Sequence, residues 1–316
     1  MEDYSILYFS LLSKNAKKLI KALQLKTRPI FLTIGHTVEL FFCSVSIKFY
    51  GPNHQIDQES VRMLSKPENV EVLISLDDSV LDHYINLDMQ LKDWIEHVLY
   101  IYNQWKLYCI SFDVGYQRYD LEAIKKAVLS YEEIKIDKAL NDASANVILN
   151  AYPHADGLDV QRNIFGQNQM KWWNLFIEHF EMLDLNDAAE TPFEPMDFNS
   201  LLMCNAKHLR VEKCILSEKE VNCFLKLWTK GAHLRMEFLY IGFLRETISM
   251  EAIIRGLKCR DVNTTEQFTF KHTTYNICDA TRTVAMFDIF RHDGIKGTIV
   301  FRDNAGLVLD FLVYLD

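Results

Sequence analysis

Apolar residues recur at helical spacing in segments that each run toward a short apolar strand, and this alternation constrains the fold more than any other feature. Leu91, Trp94, Ile95 and Val98 stand at i, i+3, i+4 and i+7. So do Trp173, Phe176, Ile177 and Phe180, then Val221, Phe224, Leu225 and Trp228, then Met250, Ile253, Ile254 and Leu257. That spacing places each quartet on one helical face. A looser set, Leu121, Ile124 and Val128, follows Asp120, a suitable N-cap. Ser217 with Glu220 forms a capping box, and Gly231 stands where a helix ending near Lys230 takes its left-handed residue. Strand-like stretches follow at Leu107–Phe112, Glu133–Asp137, Met182–Leu185 and Leu234–Ile241, with two similar runs, His208–Glu212 and His233–Glu237. The segment 138–167 breaks the period with a further strand-like run, Asn146–Ala151.

Such alternation predicts an α/β fold of leucine-rich-repeat-like helix–strand units, whose two element types cover each other's apolar faces. Residues Ile30–Tyr50, with a turn at Gly35-His36, and Asn69–Leu76 predict a small antiparallel sheet near the N-terminus. Val284–Phe290, Gly297–Arg302 and Leu307–Leu315 predict a C-terminal β-meander that closes a sheet edge.

Composition narrows the chemistry. The chain has 11 glycines in 316 residues, where average usage of roughly 7% would give about 22. Neither G-x-G-x-x-G nor G-x-x-x-x-G-K-[ST] occurs, so a glycine-rich phosphate cradle is not expected. The seven cysteines (43, 109, 204, 214, 223, 259 and 278) are odd in number and contain no C-x-x-C pair. That argues against a disulfide framework and a zinc site. A net charge of -9 disfavours general nucleic-acid binding. No stretch approaches a membrane span, and Met1-Glu2-Asp3-Tyr4 opens no secretory leader, so the expected location is cytoplasmic, nuclear or both. The Asn263-Thr264-Thr265 sequon then reads as incidental.

Reactive constellations are weak. His179 and Asp184 lack the second histidine of H-E-x-x-H; His292-Asp293 before Gly294 reads as a turn. Asp77-Asp78 and Glu132-Glu133 are adjacent, so in extended chain the members of each pair point to opposite faces. Cys223 reads as packing; Trp173 reads as core, and Trp172 as the outward ring. No catalytic group, cofactor or metal site is expected.

Residues 14–28 carry Lys14, Lys17, Lys18, Lys21, Lys26 and Arg28 with no acid, beside an apolar stripe of Leu12, Ala16, Leu19, Ile20 and Leu23. This reads as a basic amphipathic docking helix. The stretch Tyr8–Ile20, with its Ser-Leu-Leu-Ser-Lys core, resembles the last third of the F-box in the large nematode F-box protein family. Leu216–Gly231, with Asn222-Cys223-Phe224-Leu225-Lys226-Leu227-Trp228 and Gly231 before a Leu-containing strand, is similar to the hallmark of that family's type 2 F-box-associated domain. Asp288-Ile289, Asp293-Gly294 and Thr298 are similar to its closing hairpin.

The resemblance implies a substrate-recognition subunit of a cullin-RING ubiquitin ligase. A Skp-type adaptor, and through it a cullin, would be held by Phe9, Leu11, Leu12, Leu19 and Ile20. The associated domain would capture an unknown target protein, with Asn222, Phe224, Leu225, Trp228 and Gly231 as structural motif residues. Such a protein acts by effective concentration and needs no reactive group. The family's leading segment before the Ser-Leu-x-Ser-Lys stretch is short in this sequence, so the alternative is a scaffold or decoy without adaptor docking. The expected division is a truncated helical F-box remnant at 1–28, a small β region at 29–80 and an associated domain at 81–316.

Overall fold

The computed structural model describes residues 3–25, 29–50, 67, 69–76, 79–85, 88–166, 168–185, 196–244, 248–262, 283–303 and 306–315. The chain is mixed α/β and divides into two compact units, Met1–Ala155 and Asp156–Asp316. Asp77-Asp78, Asn263 and Cys278 lie outside the described residues.

In the first unit the helices are α1 (Asp3–Leu12), α2 (Lys14–Ala22), α3 (Leu91–Ile101), α4 (Leu121–Ala127) and α5 (Asp142–Ala151). Its strands are β1 (Phe31–Ile34), β2 (Val38–Phe42), β3 (Val45–Tyr50), β4 (Asn69–Leu76), β5 (Ser79–Ile85), β6 (Leu107–Phe112) and β7 (Tyr131–Ile136). Strands β1 to β5 form an antiparallel meander. They do not make a separate small sheet: β1 also pairs in parallel with β6, and β6 with β7. The meander therefore extends a larger sheet. Alternate residues face the core, where Phe49 meets Trp94 of α3 at 6.1 Å and Phe42 meets Tyr102 at 5.3 Å. Leu91, Trp94, Ile95 and Val98 are all buried, as their spacing requires.

Residues Asn146–Ala151 are helical, not strand. Asn141 caps α5 by accepting a hydrogen bond from Ser144 N at 2.9 Å, and Ala145 and Ile148 face inward one turn apart. The apolar run Val147-Ile148-Leu149 suits either element; the cap and the good helix former Ala145 decide for helix.

The second unit begins with β8 (Gly157–Val160), α6 (Gln169–Ile177), β9 (Met182–Leu185), α7 (Phe198–Met203), β10 (His208–Cys214), α8 (Glu218–Thr229) and β11 (Phe238–Phe243). Strands β8 to β11 lie side by side in parallel. Parallel neighbours need a crossover, and α6, α7 and α8 supply one each. The remaining elements are α9 (Met250–Ile254), β12 (Arg260–Asp261), β13 (Thr283–Phe290), β14 (Lys296–Asp303) and β15 (Leu307–Tyr314). The C-terminal meander joins the parallel strands through β15, which runs antiparallel to β11.

Three local readings change here. Trp172, not Trp173, is the core ring of α6: it is 1% exposed, stacks on Phe176 at 5.9 Å and donates its Nε1–H to Asn163 Oδ1 at 3.0 Å. The buried stripe is Trp172, Leu175 and Phe176, one residue earlier than the quartet indicated, while Ile177 is exposed and Phe180 lies past the helix end. His233–Glu237 is a connecting turn, and β11 starts at Phe238, which pairs with His208. Cys223 is exposed on α8 instead of packed.

Helix α8 behaves as its sequence dictates. Ser217 and Glu220 close a reciprocal capping box, and Val221, Phe224, Leu225 and Trp228 are wholly buried. Trp228 meets Phe311 of β15 edge-on at 4.9 Å. A Cβ at Gly297 would stand 2.6 Å from Phe311 and 2.9 Å from Trp228, so the strand must be glycine there. Trp228→Ala is expected to cost roughly 3 to 5 kcal/mol in chemical denaturation, since nothing near it can fill the space. A cost below about 1 kcal/mol would show that the ring is not core.

Candidate functional site

Register in the second unit sorts its strands into two faces. Leu158, Leu183, Leu209 and Leu239 align across β8 to β11, as do Val160, Leu185, Val211 and Ile241, and all are buried. These ladders share the face on which Trp228 meets Phe311. Alternation sends the intervening residues to the opposite face. There Asp159, Asp184, Arg210 and Tyr240 align, and Tyr240 continues to Asp310 of β15.

Arg210 organises this row. Its Nη2 donates to Glu212 Oε1 at 2.7 Å, its Nε lies 3.9 Å from Asp184 Oδ2, and its guanidinium covers the Tyr240 ring at 4.6 Å. Burial alone would lower its pKa; the Glu212 hydrogen bond and the Asp184 charge outweigh burial and hold the cation above its ordinary value. Burial, reinforced by Glu212, pushes the Tyr240 phenol up. Beyond it, fully buried Asp310 accepts from Arg302 Nε at 2.5 Å, and burial raises its pKa against that pairing. Phe238, Tyr240, Met286, Val300, Val308 and Leu312 form an apolar cluster on the same face. The row mixes polar and apolar side chains on one face, with Arg210 paired to Glu212 and Asp184, and Arg302 to Asp310.

The motif residues of α8 are structural. Asn222 Nδ2 donates to the carbonyls of Ile253 and Arg255 at 2.5 and 3.0 Å, closing the end of α9. Phe224, Leu225 and Trp228 fill the core. Gly231 adopts φ +99°, and a Cβ there would meet the His292 ring at 2.6 Å. His292 thus packs over a turn, and its N–H bonds to Thr229 O at 2.9 Å. Asp293 is held at about 2 by its hydrogen bonds from Arg291, whose Nε and Nη2 approach it at 2.8 to 3.0 Å. In the closing hairpin Thr298 Oγ1 donates to Asp288 at 2.6 Å. The His292-Asp293 dipeptide is therefore a turn.

His179 Nε2 accepts from Asn205 Nδ2 at 3.1 Å in the loop that enters the strand bearing Asp184. Glu132 pairs with Lys106 at 3.2 Å, while Glu133 is buried. Among the described residues no group of three or more His, Cys, Asp or Glu is placed to hold a metal ion, and no helix is long and apolar enough to cross a membrane.

In the first unit α1 and α2 form a hairpin seated on α3. Ile6, Leu7, Ser10, Ala16 and Ile20 are buried, and Lys17 and Lys21 lie over the Tyr100 ring at 4.8 and 4.0 Å. Of the five residues proposed for adaptor contact, Phe9, Leu12 and Leu19 are exposed, at 41, 75 and 61%. Leu11 is half-buried and Ile20 is buried, so Ile20 belongs to the internal seam. Leu23, 58% exposed, joins the outward set. The i, i+4 relation of Leu19 to Leu23 could have shown this.

Ser10 Oγ donates to Leu7 O at 2.6 Å and lies 2.7 Å from His97 Nε2, so with that proton committed the imidazole is the donor. Burial first, and Lys17 second, hold His97 down to about 4. A base with a lowered folded pKa takes up its proton more readily in the unfolded chain. The contribution is therefore complete above the ordinary value of 6.5 and is lost as pH falls toward 4. The urea midpoint is expected to drop more steeply from pH 7 to 4.5 in the native chain than in His97→Gln; parallel slopes would contradict this account.

Residues 173–241, spanning most of α6 through much of β11, match the family model described as F-box associated. The F-box associated domain-containing protein sdz-33 of Caenorhabditis elegans is 21% identical over 298 residues, covering 93% of this chain and 86% of that protein. No solved structure matches the chain significantly. Over residues 173–241 the chain is thus similar to the F-box-associated family.

Proposed function

We propose that the protein is a non-catalytic substrate-recognition subunit of a cullin-RING ubiquitin ligase, working in the cytoplasm, the nucleus or both. The match of residues 173–241 to the F-box-associated family is the observation that carries this reading. In it, the helix–strand units form a leucine-rich-repeat-like array, and the face bearing Arg210 and Tyr240 holds the target protein. The outward residues Phe9, Leu12, Leu19 and Leu23 dock on a Skp-type adaptor, which links to the cullin. Holding a target near a ubiquitin-loaded enzyme raises its local concentration and demands only two binding surfaces.

One observation favours a second reading, a stand-alone scaffold or decoy. The inner side of the α1–α2 hairpin is already spent on α3, through Ile6, Leu7, Ala16, Ile20 and the Ser10–His97 contact. Gel filtration with a purified Skp-type adaptor separates the two. Co-elution that is lost in the triple variant Phe9→Ala, Leu12→Ala, Leu19→Ala, with its circular dichroism unchanged, supports the ligase reading; absence of co-elution supports the scaffold.

A further inference from the structure

The loops entering β9, β10 and β11 line an open cleft of about 580 Å³, whose wall includes Ile177, Met203, Ala206, Ala232, Leu234 and Met236. Its size lies within the roughly 300 to 1,000 Å³ usual for ligand pockets. Small residues leave it open: Cys204, Ala206, Gly231 and Ala232 are part of the wall. At the mouth two aliphatic side chains face solvent, Ile177 at 53% and Leu234 at 58% exposure.

The cavity is braced. Arg235 reaches from the third loop to the first two, its Nη1 donating to Asn205 O at 3.2 Å and its Nη2 to His179 O at 3.3 Å and Glu181 Oε1 at 3.0 Å. Glu181 also accepts from Lys207 at 2.6 Å. Backbone bonds from Asn205 N to Phe176 O and from Glu237 N to Lys207 O, both 2.8 Å, lace the loops together. A wall fixed before binding spares the ligand the cost of ordering it.

Its lining is electrically neutral. Arg235 is balanced by Glu181 and donates to two carbonyls. Burial pushes the Cys204 thiol up to about 11 and holds His233 below its ordinary value, so both are uncharged near pH 7. The charges lie outside: Glu178 beside Ile177 and Lys230 beside Gly231 are exposed and make no ion pair among the described residues. They belong to the two outer loops, which enter strands roughly 10 Å apart with β10 between them.

We propose that this open cleft receives an extended segment of a partner protein, main chain included, anchored by one uncharged aliphatic side chain of leucine or methionine size. A basic residue on one side of that anchor meets Glu178 and an acidic residue on the other meets Lys230. A buried apolar anchor with a charged rim is the usual form of an interface hot spot. The site lies wholly within the second unit and rests on the target-capture reading proposed above, not on adaptor docking.

The full-length chain with ¹³C-methyl methionine, titrated with the peptide acetyl-Gly-Lys-Gly-Leu-Gly-Glu-Gly-amide, tests this by NMR. The Met203 and Met236 methyl signals should shift saturably. Replacing the peptide's Leu with Asp should weaken binding about tenfold, and replacing its Lys and Glu with Ser about threefold. Ala232→Phe, which narrows the cleft with a ring at its wall, should sharply reduce the shifts. Leu234→Asp, at the exposed mouth and with unchanged circular dichroism, should weaken binding about fivefold. The proposal is overturned if neither methyl shifts, if the Leu and Asp peptides bind alike, or if both variants bind as the native chain does. Concentration-dependent shifts of the same methyls without peptide would assign the cavity to a second copy and overturn it equally.

Discussion

Parallel pairing of β8 to β11 is the constraint from which the second unit follows. Each parallel neighbour requires the chain to return to the same end of the sheet, and α6, α7 and α8 do this in turn. The helices need an apolar surface to cover, which Leu158, Leu183, Leu209 and Leu239 provide in register. The same register lines Asp159, Asp184, Arg210 and Tyr240 along the opposite face, and returns three loops to one edge, where they line the cleft.

Helix α8 ties the parallel strands to the meander. Trp228 fills the space over Phe311 and Gly297, Asn222 closes the end of α9, and Gly231 admits His292. The motif residues of the F-box-associated segment thus serve the packing, and recognition is left to side chains around them. Such a division lets a family keep one scaffold while its binding surfaces vary.

Much of α8 was legible in sequence because three independent signals agreed: the Ser217/Glu220 box, the 3.6-residue stripe and Gly231. Strands β6 and β9 were legible because short apolar runs stood between turn residues. Asn146–Ala151 misled because its aliphatic run outweighed the Asn141 cap. Trp172 and Trp173 were exchanged because a stripe read without a fixed helix start can slip by one residue. The likeness of His208–Glu212 to His233–Glu237 was local, whereas pairing depends on register with neighbours. For the same reason the Arg210 row and the loop cavity were not legible: each is assembled from several strands or loops, and no single window contains it.

The α1–α2 hairpin turns Phe9, Leu12, Leu19 and Leu23 outward, and the second unit carries the Arg210 row and the loop cleft. The central claim is that the first engages an adaptor while the second remains available for a target. Hydrogen–deuterium exchange of the full chain, with and without a Skp-type adaptor, tests it most directly. The account predicts added protection concentrated in residues 3–23, with exchange in β8 to β11 unchanged. Protection absent from 3–23, or appearing instead across the strands bearing Arg210 and Tyr240, would contradict it.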